Sequence, residues 1–153
     1  MAQTINITIG KAELVKTVES LLWKYGNAIE VAENYKQVWN TKAEHGANAV
    51  DNRVLTDGFV KRSREAIDFL REFIYGEIIY NTDGDAAIVL NMPTRWVGKE
   101  TLLQAAVDGY VADGMMVDWL NVTAPTEAAL YATKLQQDKT NIETELYKRG
   151  TPL

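Results

Sequence analysis

The chain contains no cysteine, one histidine and three prolines in 153 residues, and each scarcity removes a class of explanation. Without cysteine there is no disulfide scaffold and no thiolate metal site, which fits a reducing compartment. The one histidine, His45, lies in a polar stretch and cannot supply the paired Glu-x-x-His units of a di-iron bundle. A Ser-His-Asp arrangement would need Ser20 or Ser63, both in predicted helices with no elbow motif around them. No apolar run approaches the ~20 residues that span a bilayer. The opening MAQTINITIGKAE has neither the basic nor the apolar region of a signal peptide. Basic charge is also short. The net charge is −5, so no broad field attracts nucleic acid or an anionic membrane.

What is present is ordinary globular composition, 46% apolar and 24% charged, enough for one domain with a real core. The pattern predicts a single, mainly α domain over 1–153. It is a bundle of about five helices with an inserted β-hairpin (77–92) and a short extended N-terminal arm (1–10). In the arm, Ile5, Ile7 and Ile9 alternate with Asn6 and Thr8, the period-two signal of an extended segment. It either tucks onto its own domain or adds to a neighbour's sheet edge. Helical spacing begins at Lys11 and places Leu14, Val18, Leu21, Leu22 and Tyr25 on one side, with Gly26 as the residue that ends the helix. A second helix, capped by Asn27, carries Ala28, Val31, Ala32, Tyr35, Val38 and Trp39 inward. Asn40 to Leu55 is polar and reads as loop, and Thr56 caps a third helix that runs to about Tyr75. Its exposed face is a mixed-charge surface including Lys61, Arg62, Arg64 and Glu65. Ile78–Tyr80 and Ala87–Leu90 flank Asp83-Gly84, a turn pair that tolerates positive φ. Lys99–Leu120 is the central helix, apolar on more than one side, with small residues Ala105, Gly109 and Ala112 inviting close contact. The last helix starts at Pro125 and buries Ala128, Tyr131, Leu135, Ile142 and Leu146.

Tests for chemistry return little. Gly98-Lys99-Glu100-Thr101 lacks the preceding glycine of a phosphate loop, Pro93 standing where it would be. Asp108, Asp113 and Asp118 are spaced so that successive side chains point about 140° apart on a helix, poor geometry for one metal. Asp83 and Asp85 follow turn preference. No catalytic, cofactor or metal residue is assigned. Of the tryptophans, Trp39 and Trp119 continue core stripes, whereas Trp96 lies in a connector and is the best candidate for an interface anchor.

Several local patterns together carry a resemblance. An Ile7-Thr8-Ile9 opening leads into Lys11-Ala12-Glu13, and the first helix closes in Tyr25-Gly26-Asn27-Ala28. A helix starts after Thr56-Asp57, and a β segment ends in Leu90-Asn91-Met92-Pro93. The central helix ends in Asp118-Trp119-Leu120 and is followed by Ala128-Ala129-Leu130-Tyr131-Ala132. The tail Leu146-Tyr147-Lys148-Arg149-Gly150-Thr151-Pro152 is similar to Arg-x-x-Pro endings, without the basic residues expected after the proline. In these pieces the chain resembles head–tail connector (neck) proteins of tailed bacteriophages, in the group found in phages of gut anaerobes including crAss-like phages. That resemblance implies a mostly helical virion protein assembled in the host cytoplasm. Such adaptors form rings, commonly of twelve copies, bind the portal and neighbouring neck or tail proteins, and let genomic DNA pass without sequence-specific binding. It implies no catalysis, no cofactor and no membrane.

The expected contacts are Ile5, Ile7 and Ile9 of the arm, Ile78, Ile79, Tyr80, Asp83, Gly84 and Ile88 of the hairpin, Arg95 and Trp96, and Tyr147 and Arg149 at the end of the last helix. Two other classes stay open: an intracellular helical module that binds one protein partner, and a small enzyme that relies on carboxylates alone.

Overall fold

The computed structural model describes residues 3–28, 49–82, 84–123 and 125–150. Among them the chain is mainly helical, with four helices and a three-stranded antiparallel sheet. Strand β1 spans Gln3–Ile9 and helix α1 Lys11–Ala28. Helix α2, Ala49–Leu70, passes into a 3-10 turn at Arg71–Phe73. Strands β2 (Ile79–Tyr80) and β3 (Ala86–Met92) form the hairpin, and α3 (Glu100–Thr123) and α4 (Pro125–Leu146) complete the order. The expected second helix, Ala28 to Trp39, and the polar stretch holding His45 lie outside the described residues. The count of five helices is therefore not matched among the described ones.

The isoleucine arm folds back onto its own domain as β1. It pairs antiparallel with β3 in the register Ile5↔Leu90, Ile7↔Ile88 and Ile9↔Ala86, and the sheet order is β1-β3-β2. Side chains alternate across a strand, so Ile5, Ile7, Ile9, Ala86, Ile88, Leu90 and Met92 share one face, and all are buried. Thr4, Asn6, Thr8, Ala87 and Asn91 occupy the other face and are exposed. A slip of one residue would exchange the two sets, so burial fixes the register.

Helix α3 is the centre, with α1, α2, α4 and β1 all packed against it. Its broad apolar coverage follows from having neighbours on several sides. Leu103, Val107, Val111, Met116 and Leu120 are wholly covered.

Three boundaries differ from the sequence expectation. Helix α1 continues past Gly26 to Ala28, since one glycine in a last turn costs only about 1 kcal/mol. Helix α2 starts at Ala49, so Thr56 lies inside it and is no cap. Leu55 and Phe59, four apart and both buried, already belong to its inward stripe. The same helix stops at Leu70 and not near Tyr75, because the chain beyond it is drawn to the sheet. Ile74 bridges Leu90, and the Tyr75 N–H donates to the Val89 carbonyl at 2.8 Å.

The hairpin turn is held by its own polar groups. Gly84 takes φ +92°, a value that favours glycine. The Asp85 N–H donates to Asn81 Oδ1 at 2.9 Å, and Asn81 Nδ2 returns a bond to Asp85 Oδ2 at 3.1 Å. Asp85 Oδ1 also accepts the Lys11 N–H at 2.8 Å, satisfying a free donor at the start of α1. The turn aspartate thus ties the hairpin to the first helix.

Candidate interaction surface

The two edges of the sheet are finished differently. Along β1 the outward backbone groups are taken up by side chains of α3. The Thr8 N–H donates to Gln104 Oε1 at 2.9 Å, and Gln104 Nε2 donates to the Thr8 carbonyl at 2.7 Å. The Asn6 N–H reaches Glu100 Oε2 at 3.4 Å. Here a side-chain amide does what a further strand would do, which removes the liability of an open edge.

At β2 no such cover exists among the described residues. The Asn81 N–H donates to the Asp85 carbonyl at 3.1 Å, and Ile79 and Tyr80 pair with Ala87 and Ala86. Antiparallel pairs alternate between bonded and non-bonded, so the Tyr80 N–H and C=O point away from β3. The side chains there are exposed as well: Ile79 is 68% and Tyr80 64% accessible, with Tyr75 at 66% just before them. Ile79 and Tyr80 point to opposite faces of the sheet, so the short open strand carries exposed apolar side chains on both sides, a surface suited to a protein contact.

The expected contact residues therefore separate into two groups. Ile79 and Tyr80 are open, Ile78 is half-buried, and Gly84 sits at the turn beside them. Asp83 lies outside the described residues. Arg95 is exposed, but its Nη2 donates to the Gly150 carbonyl at 2.8 Å. Tyr147 is half-exposed and donates its hydroxyl to Glu72 at 2.7 Å, and the Arg149 guanidinium lies over the Phe73 and Tyr147 rings.

The remaining expected contacts are corrected. Ile5, Ile7 and Ile9 are spent on the subunit's own core, as is Ile88. Trp96 is 4% accessible, and its Nε1–H donates to the Glu145 carbonyl at 2.7 Å. It fills the core because the connector pairs with the tail, through the Trp96–Arg149 bridge and the Val97 N–H on the Lys148 carbonyl. These five side chains are not free to anchor another chain.

Beside β2 a pocket of about 280 Å³ runs between α2 and the hairpin. Phe59, Val60, Ile67, Ala86 and Tyr80 supply apolar walls, and Ser63 and Arg64 are its polar members. The Ser63 hydroxyl is buried with no hydrogen-bond partner. Arg64 is exposed and makes no ion pair or hydrogen bond among the described residues. None of the α2 residues here was assigned from sequence, because Arg64 looks like one member of a solvated charged face.

The other polar features are internal. Arg62, expected on that solvated face, is 8% accessible. Its Nε and Nη2 donate to Asp118 at 3.2 and 2.8 Å, and Nη1 to Glu65 at 2.9 Å. Burial works against the charge, but Asp118 and Glu65 outweigh it and the guanidinium pKa is raised. Glu65 also accepts the Tyr110 hydroxyl at 2.9 Å, and burial followed by that carboxylate pushes the phenol up to about 12. The Arg62 stem crosses Gly114 so closely that any side chain there would collide with it.

Between α3 and α4, Asp138 faces Asp113. Burial, then the hydrogen bond and charge of Asp113, push the Asp138 carboxyl up to about 7 against the opposing charge of Lys134. A cleft of about 460 Å³ beside β1 holds Glu13, Gln104 and Asp108. Burial raises the Asp108 pKa, with the Gln104 amide opposing and Glu13 adding. Among the described residues no group of three or more His, Asp or Glu side chains is placed to hold a metal ion. No described helix is long and apolar enough to cross a membrane.

Comparison with protein-family models, with curated proteins and with solved structures finds no match to this chain.

Proposed function

We propose that this chain is a virion structural protein of a tailed phage, a connector that forms a ring in the neck and joins the portal to the tail around the DNA channel. The observation that carries the reading is the open β2 edge with Ile79, Tyr80 and Tyr75 uncovered around it. An open apolar edge of this kind leaves backbone groups and side chains to water, and pairing with another chain satisfies both. The sequence resemblance to neck proteins supplies the class of partner: copies of itself, the portal and neighbouring neck proteins.

A ring needs a heterologous contact, in which two different faces of each subunit match. The hairpin edge is one face. The arm, which the sequence offered as a second, is folded into the sheet. A second face would draw on Val97, Leu102 and Leu130, which are among the exposed apolar side chains of the described residues. The covered arm also favours a second reading, a helical module that uses the open β2 edge to bind one partner. Negative-stain electron microscopy of the chain mixed with the portal protein from the same genome separates the two. Rings seated on the portal support the connector, and a complex of fixed low stoichiometry without rings supports the module. No complex at all counts against both.

A further inference from the structure

The α2–hairpin pocket and the β2 edge are continuous, because Tyr80 belongs to both. Tyr80 pairs with Ala86, whose side chain is on the helix-facing side of the sheet, and both line the pocket. A strand laid beside β2 would direct alternate side chains to that same side. The pocket offers such a side chain apolar walls from Phe59, Val60 and Ile67, with the unpartnered Ser63 hydroxyl beneath. Arg64 stands at its rim, exposed and unpaired among the described residues, whereas Lys61, one turn earlier on α2, is turned to Asp118 at 3.8 Å. In a chain of net charge −5, this free guanidinium selects against a basic partner and for an acidic one.

We propose that an extended, acidic and apolar segment of another protein chain docks here as a fourth strand beside β2. The Tyr80 N–H and C=O would bond its backbone, one of its apolar side chains would fill the pocket, and a carboxylate two residues along, on the same side of the strand, would pair with Arg64. The proposal rests on the reading that the hairpin is the chain's joining surface, and it adds where on that surface a partner sits and what chemistry it brings. It also gives the free Arg64 guanidinium beside an apolar pocket an ionic partner.

The test is an NMR titration of the full-length, isotope-labelled chain with three blocked peptides. The first is Thr-Leu-Thr-Asp-Thr-Leu, the second replaces Asp with Lys, and the third is the first with every backbone N–H methylated. The acidic peptide is expected to shift the amide resonances of Ile78, Tyr80 and Ser63. The lysine peptide should bind about tenfold more weakly, and the N-methylated peptide, which has no strand donor, should not bind. In Arg64→Glu, an exposed substitution whose fold is checked by circular dichroism, the order of the acidic and basic peptides should reverse. No shifts at millimolar peptide, equal binding of the acidic and basic peptides, or an unchanged order in Arg64→Glu would each overturn the proposal. Rings on the portal that Arg64→Glu leaves intact would remove this docking mode and leave the connector reading standing. Peptide binding without any ring would do the opposite.

Discussion

Arg62 divides its hydrogen bonds between Asp118, across the helix interface, and Glu65, one turn along α2, while its stem lies over Gly114. Removing one member of a buried ion pair strands the other. Arg62→Ala should therefore destabilise the fold by about 3 kcal/mol, read as a lower urea midpoint with an unchanged slope. Little of this was legible beforehand. By composition Arg62 belongs with Lys61 and Arg64, and periodicity alone does not separate a buried arginine from its exposed neighbours. The available signal was on the partner helix, where a glycine is followed one turn later by an aspartate. Asp138 behaves in the opposite sense. Its folded pKa, about 7, lies above the ordinary 3.8, so the native state holds a proton that the unfolded chain has released. Stability then falls as pH rises from about 4 to 7 and stays lower above that. Asp138→Asn should gain about 1 kcal/mol over the parent at pH 8, after allowance for solvent screening of a half-exposed group. The gain should vanish near pH 4. Thermal melts at the two pH values check this, and an equal gain at both would show that the carboxyl is not responsible.

At the scale of elements, the two sheet edges decide how the chain meets other molecules. Gln104 closes β1 with two bonds to Thr8, each worth about 1 kcal/mol net. Gln104→Leu should lower stability by about 1–2 kcal/mol and increase concentration-dependent association through the opened strand, seen by light scattering. The existence of β1 and of the hairpin was legible: the Ile5-Ile7-Ile9 alternation and the Asp83-Gly84 pair are local signals. Their relation was not. The pairing of β1 with β3 joins residues more than 75 positions apart, and alternation specifies a buried face without naming the strand beside it. Trp96 was misjudged for the same reason. Its connector becomes a short bridge only when the end of the chain arrives at Arg149. The exposed Ile79 and Tyr80 were within reach of sequence reasoning, but the pocket next to them needs α2 and the hairpin brought together.

Over the whole molecule, a single core built on α3 covers one face of the sheet and leaves β2 as its open side. We propose that this edge joins the chain to another protein. Ile79 and Tyr80 are mostly exposed, so Ile79→Glu/Tyr80→Glu should change subunit stability by no more than about 0.5 kcal/mol per site. The most direct measurement is sedimentation velocity of the parent chain and this double variant, each mixed with the portal protein of the same genome. The parent is expected to sediment with the portal as a ring, and the folded variant to stay behind as single subunits. A variant that sediments with the portal as fully as the parent, or a parent that never leaves the single-subunit boundary, would contradict the proposal.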